Sequence, residues 1–357
     1  MKDLIKSYIN RSDWAGRLYW HYVYLRKAVS GRDKIRKYVA DTKGEYHNSS
    51  LARILWVMVT RLWMPDEYVG FGYERMSAKE RKTYVLDWQK DVFCKRVNTR
   101  KTSTLLDNKM SAYSILKKYY SRVAVLLDHT STEEDWITLT ALFKKGLPLM
   151  VKPVASGGGK GIRKVDPKKY EDTKAFVDVM MKEYPKGCVI EEVIVQDARM
   201  AALHPQSINT LRMSTIRRNG KVELFHPFMR VGCGDAVVDN GGSGGLLMPI
   251  DISTGTILCA ANELGKSFEN HPDTGIRLVG FSIPRWREAQ ALIDEIMTLF
   301  PNDGYISWDL ALTDNGWLVI EGNSHGQFAG QYALHRGIRD DFERIKSDIL
   351  RNNKRSI

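Results

Sequence analysis

Apolar residues recur at helical spacing through the first ninety positions, and from Asn98 onward short apolar runs alternate with helical stretches. The spacing predicts helices over Trp14–Lys27, Leu51–Met64 and Ser77–Lys90, the last with Ser77 as N-cap and Glu80 three residues on. Pro65-Asp66 and Gly70-Phe71-Gly72 interrupt the pattern between the second and third. Trp14–Lys27 carries more rings than one buried face can hold. Such a basic aromatic helix either lies on a membrane interface or packs beneath Leu51–Met64.

Beyond Asn98 the pattern predicts strands over Val123–Leu127, Leu147–Val154, Ile162–Val165 and Cys188–Val195, then Ser207–Ile216, Lys221–Arg230 and Gly255–Ala260. Helices are expected at Met110–Tyr120, Ser131–Lys145, Asp166–Tyr184, Ile283–Phe300 and His335–Leu350, with Pro272–Val279 a loop. An α/β chain follows.

One hairpin stands out. Tyr305–Thr313 and Trp317–Glu321 flank Asp314-Asn315-Gly316, read as a three-residue turn. Closing there sets Thr313 opposite Trp317, Ala311 opposite Val319, Asp309 opposite Glu321 and Ser307 opposite Asn323. Facing carboxylates repel, so a positive group should sit between them. With the Asn323 amide they suit a hard cation such as Mg²⁺; on an ordinary surface hairpin they would simply be solvated.

Composition narrows the class. A hydrophobic fraction of 43% and a charged fraction of 27% are ordinary for a globular protein, and 357 residues suffice for two or three lobes. No apolar run approaches a membrane span and no secretory leader is read, so a cytoplasmic protein is expected. Cys94, Cys188, Cys233 and Cys259 lack paired or metal-type spacing and read as reduced core thiols. Residues 1–100 hold 21 Lys/Arg against 11 Asp/Glu, which is +10 of the chain's +12. That asymmetry points to an acidic partner, unless it is only a solvated helical surface.

Three further stretches carry candidate chemistry. Ser156-Gly157-Gly158-Gly159-Lys160-Gly161 lies between two strands and lacks Walker A spacing. With Lys152 just upstream it is either a flap whose N–H and ammonium groups fold over phosphates or a loose turn. The strand Cys188–Val195 ends in Glu191-Glu192 and could offer backbone to a base and a carboxylate to a ribose. Asn209 and Arg212 sit on opposite faces of their strand, Arg230 ends the next, and a glycine-rich loop with Asp239-Asn240 runs to Gly245.

In order, Leu106-Asp107-Asn108-Lys109, Val151-Lys152-Pro153 with its flap, Ile190–Ile194, Asn209–Arg212, Val238–Gly245 and Trp308-Asp309 through Ile320–Asn323 resemble the ATP-grasp superfamily. The resemblance is strongest to its sugar-transfer-associated branch and spans about Leu105 to Gly326. It implies an ATP-grasp fold of α+β lobes behind a helical N-terminal region. The expected parts are a basic helical region at 1–97, a small lobe at 98–187, a C-terminal lobe at 188–334 and a tail at 335–357. It also implies roles: Lys109 and Lys152 on phosphates, with Ser156, Gly157, Gly158, Gly159, Lys160 and Gly161 closing over them. Glu191, Val193 and Ile194 would serve the adenine, Glu192, Gln196 or Asp197 the ribose, and Asp309, Glu321 and Asn323 Mg²⁺. Arg212 would stabilise phosphate, while Arg230 and the loop from Asp239 would lie at the acceptor side.

The activity implied is an ATP- and Mg²⁺-dependent carboxylate–amine ligase working through an acyl-phosphate, on a carboxylated sugar or in surface polysaccharide biosynthesis. Its partners would be a small-molecule carboxylate and an amine, with no nucleic acid. A kinase acting on a hydroxyl and a non-catalytic nucleotide sensor are the alternatives. Association of the N-terminal region with a membrane or a glycan-assembly complex is a further expectation. His325, beside the hairpin, reads as a cap or a substrate contact.

Overall fold

From Ala124 onward the chain is built on two antiparallel sheets flanked by helices. The structure is a computed structural model and describes residues 13–154 and 161–355. The smaller sheet holds β1 (Ala124–Leu127), β2 (Leu149–Pro153), β3 (Arg163–Val165) and β4 (Cys188–Glu192), in the order β1-β4-β2-β3. Strand side chains alternate, so Val125, Leu149, Val151, Cys188 and Ile190 point to one face. There they pack with Leu139 and Leu142 of the helix Glu133–Lys144 and Phe176 and Met180 of the helix Thr173–Glu183. The opposite face carries Ala124, Met150, Lys152, Val189 and Glu191. The expected lobe boundary at 187/188 runs through this sheet. β4 is an inner strand of the small lobe, because both β1 and β2 pair with it.

The larger sheet holds β5 (Thr210–Arg218), β6 (Lys221–Leu224), β7 (Phe228–Val231), β8 (Leu246–Pro249), β9 (Ala261–Asn262), β10 (Tyr305–Thr313) and β11 (Gly316–Asn323). Its order is β11-β10-β5-β7-β8-β9, with β6 also on β5. The single strand expected over Lys221–Arg230 is two. Pro227 has no N–H to donate and His226 turns to φ +45°, so the register on β5 steps by one between Thr215–Leu224 and Arg212–Phe228. Gly255–Ala260 is not a strand. It makes isolated bridges at Thr256 and Ile257 and scattered backbone bonds to neighbouring loops, and the neighbour of β7 is β8, emerging directly from the glycine run. The helix Trp286–Met297 sends Ala289, Ile293 and Ile296 into one core with Ile306, Trp308, Leu310 and Leu312.

At the hairpin itself the turn is Asp314-Asn315 alone, with Thr313 opposite Gly316. The outer pairs therefore slip by one from expectation: Leu312 faces Trp317 and Ala311 faces Leu318. A bulge between Asp309 and Leu310 absorbs Ile320 and restores the expected pairs Asp309–Glu321 and Ser307–Asn323. Gly322 is needed beyond the bulge, because a Cβ there would lie 2.6 Å from the ring of Trp308.

The N-terminal region forms helices Asp13–Ser30, Arg32–Thr42 and Leu51–Arg61. The continuous helix expected over Ser77–Lys90 is interrupted. Ser77 and Glu80 do make the capping box, but that helix ends at Arg81 and a new one starts at Asp87 and runs to Val97. Between them the buried amide of Gln331 takes both backbone groups of Val85, each at 3.0 Å, in place of helical bonds. The final helix, Arg339–Arg355, packs Phe342, Ile345 and Ile349 into a core with Phe93 and Val97.

Candidate active site

The inner faces of the two sheets look at each other across a cleft of about 890 Å³. On the large-sheet side, register and alternation put the charged residues on one face. Arg230 on β7 faces Thr210 on β5; two residues along β5, Arg212 faces Asp309 on β10, and Asp309 faces Glu321 on β11. Alternation on β11 adds Asn323, whose Nδ2 donates to Glu321 Oε1 at 3.3 Å. The positive groups demanded by the facing carboxylates are guanidiniums. Arg212 Nη2 and Arg230 Nη2 each donate to Asp309 Oδ2 at 2.9 Å, and Arg212 Nε also pairs with Oδ1.

Charge is divided unevenly across this face. Burial alone would raise the Asp309 carboxyl, yet Arg212 and Arg230 outweigh it and hold that group below the ordinary carboxylate range. Glu321 moves the other way: enclosure by the surrounding protein and then the Asp309 charge push it up. Its side chain nonetheless opens onto the cleft, which keeps it reachable by a ligand. Asp309, Glu321 and Asn323 together offer only oxygen donors of the kind hard cations take.

Behind Arg230 the loop after β7 closes the site. Arg230 donates to Thr210 Oγ1 at 2.9 and 3.0 Å, and its Nε lies 3.5 Å from Asp239 Oδ2. Asp239 accepts from the Thr210 N–H at 3.0 Å and from its hydroxyl. Burial, more than Arg230 can offset, raises the Asp239 carboxyl. The loop's base is tied by two buried imidazoles: His271 Nε2 is 2.7 Å from Gly232 O and His204 Nε2 is 2.9 Å from Gly234 O.

On the small-sheet side Lys152 and Glu191 are diagonal neighbours on β2 and β4, and they form an ion pair. Lys109, first residue of the helix Lys109–Tyr120, reaches Pro153 O at 3.3 Å. Asn108 places that helix by capping it, accepting from Met110 and Ser111 N–H groups. Glu192, Val193, Ile194 and Gln196 line the cleft, Glu192 paired with Lys145 at 2.6 Å. Asp197 points elsewhere: it caps the turn Ala198–Ala201 and pairs with Arg199 at 2.9 Å. Gly161 takes φ +74° at the foot of the glycine run. Ser156, Gly157, Gly158, Gly159 and Lys160 lie outside the described residues.

Arg122 is a residue that motif reasoning missed. Its side chain is 4% exposed, its Nε is 3.3 Å from Glu191 Oε2, and its Nη1 donates to Val319 O at 2.8 Å and Tyr120 O at 3.2 Å. One guanidinium thus joins the Lys152–Glu191 pair of the small sheet to the backbone beside the β11 bulge. The Tyr120 ring beneath it, 4.6 Å away, completes the enclosure. The only sequence signal was an arginine between a helix end and a buried strand. His325 lies off the cleft, its Nδ1 2.8 Å from Ser324 Oγ and its carbonyl accepting from Lys90.

Two sheets closing on a cleft that one lines with lysine and the other with arginine, paired acids and an amide define an ATP-grasp protein. The chain belongs to the sugar-transfer associated ATP-grasp family, whose description it matches over residues 89–347. Among solved structures it is similar to D-alanyl-alanine synthetase A from Vibrio cholerae O1 biovar eltor str. N16961, at 13% identity and TM-score 0.45, covering 74% of this chain and 72% of that one. It is similar also to D-alanine-D-alanine ligase from Helicobacter pylori, at 14% identity and TM-score 0.44, over 74% and 68% of the two chains. A third, N5-carboxyaminoimidazole synthetase from Staphylococcus aureus complexed with ADP, has 14% identity and TM-score 0.37 over 64% and 47%. No curated protein matches. Among the described residues no helix is long and apolar enough to cross a membrane.

Proposed function

We propose that this protein is an ATP-dependent ligase that activates a small-molecule carboxylate as an acyl-phosphate and passes the acyl group to an amine. The observation that carries the reading is that Arg230, Asp309 (paired with Arg212) and Glu321 line one cleft together with Lys152. Phosphoryl transfer asks for positioning and charge rather than an enzymic nucleophile, and this cleft supplies cations on both walls. Lys109 and Lys152 would bind phosphates, and Val193 and Ile194 offer backbone at the cleft edge to the base. Arg212 and Arg230, fixed by Asp309, would face the oxygens that gain charge as the carboxylate is activated.

Mg²⁺ would be held by Glu321 and Asn323, with Asp309 shared between it and the arginines. Bound there, the ion neutralises charge on the transferring phosphate. The acceptor side lies towards Arg230 and the Asp239 loop, and the family's sugar-transfer association favours a carboxylated sugar in polysaccharide or glycoconjugate synthesis. A screen of carboxylate–amine pairs for ATP-dependent phosphate release, with mass spectrometry of products, tests this. An amide formed with one phosphate released per turnover supports the ligase. A phosphorylated hydroxyl formed without any amine overturns it in favour of a kinase.

A further inference from the structure

The helix Asp13–Ser30 is apolar on two sides, and only one of them is covered. Its inner side carries Gly16, against which Val92 packs, and Tyr24, which shares a core with Met58 and Leu62. Its outer side carries Trp14 (70% exposed), Leu18 (52%), Tyr22 (57%), Leu25 (51%) and Val29 (74%). At 3.6 residues per turn these five fall within an arc of about 80°. A surface helix ordinarily turns one apolar stripe inward and a polar face outward, so a second, aromatic-rich stripe in water needs a partner.

Charge identifies the partner's chemistry. Arg17 and Arg26 are exposed on either flank of the stripe, and Arg26 lies over the Tyr22 ring at 6.0 Å. The next helix opens with exposed Arg32, Lys34, Arg36 and Lys37 against a single acid, Asp33. Apolar and aromatic side chains bordered by cations fit the boundary between acyl chains and anionic headgroups. The helix cannot span a bilayer, so it would lie along one.

We infer that the outer face of the helix Asp13–Ser30 docks this protein onto an anionic phospholipid surface, with the following basic helix adding electrostatic attraction. Docking of this kind would hold the cleft beside membrane-borne material; the inference itself is independent of the chemistry proposed for the cleft.

Sedimentation of the full-length protein with vesicles tests it, using phosphatidylcholine alone and phosphatidylcholine with about one-third phosphatidylglycerol. The wild type should partition onto the anionic vesicles and release at high salt. Replacing the exposed side chains in a W14S/L18S/L25S variant should weaken partitioning about tenfold or more while leaving the melting temperature unchanged. Equal partitioning of variant and wild type, or none by the wild type, overturns the inference. So does a concentration-dependent dimer in analytical ultracentrifugation that the same substitutions abolish, because the face would then belong to a second copy of the chain.

Discussion

Replacing Arg122 by methionine should destabilise the protein at the joint between its sheets. The guanidinium is buried and serves Glu191 at 3.3 Å, Val319 O at 2.8 Å and Tyr120 O at 3.2 Å. Losing a charged donor to a buried carbonyl costs about 1.5–3 kcal/mol. Severing a buried ion pair outright costs about 3–5 kcal/mol, but Glu191 would keep Lys152, so only part of that applies. Methionine recovers some packing against Tyr120. The net expectation is a loss of about 2–4 kcal/mol, read as a fall of roughly 5–15 °C in melting temperature. Arg122→Lys, which keeps charge but not the fork, should fall between. Combining Arg122→Met with Glu191→Gln should cost less than the two single changes together, because they share one contact. Melting by circular dichroism decides: Arg122→Met within about 2 °C of wild type would refute the joint.

Three further outcomes follow from the geometry. Asp309→Asn should retain nucleotide but lose ATP-dependent phosphate release by about 100-fold or more, since Arg212 and Arg230 lose the charge that fixes them; unchanged release would contradict their role. Gly322→Ala forces a methyl group against Trp308 and should cost about 1–3 kcal/mol, seen as a lower urea midpoint. Glu67, buried and accepting from the Met64 and Asp87 N–H groups, has its carboxyl raised well above the usual range by burial and then by Asp66 and Asp87. A raised carboxyl binds its proton more tightly folded than unfolded, so stability should fall as pH rises from the ordinary value near 4.3 towards the folded one, by up to about 1.4 kcal/mol per pH unit. Glu67→Gln should flatten the melting-temperature profile across that window; an unchanged slope would count against the assignment.

The facing pairs of the hairpin were legible because strand periodicity and one short turn almost determine who faces whom. Asp309–Glu321 and Ser307–Asn323 follow from counting outward from the hairpin turn. That count succeeded through two opposed errors: the turn is one residue shorter than read, and the bulge at Ile320 returns the difference. A bulge has no side-chain signature here, so the outer pairs could not be foreseen. Long-range contacts were equally hidden. Nothing near Val85 announces that Gln331 will take its backbone, and nothing near Asp309 announces that Arg230 will join Arg212 on it. Hidden likewise was the local use of Asp197, which caps the turn Ala198–Ala201 and pairs with Arg199. The strand Lys221–Arg230 was over-read because period-two alternation continues through Pro227, whose missing N–H ends the pairing.

The central claim is that the cleft between the two sheets binds Mg·ATP, and titration calorimetry tests it most directly. Wild-type protein titrated with ATP in Mg²⁺ should show saturable one-to-one binding, and Lys152→Ala should weaken that binding by about tenfold or more through loss of a phosphate-facing ammonium. Absence of ATP binding by the folded wild type, or binding unaffected by Lys152→Ala, would contradict the account.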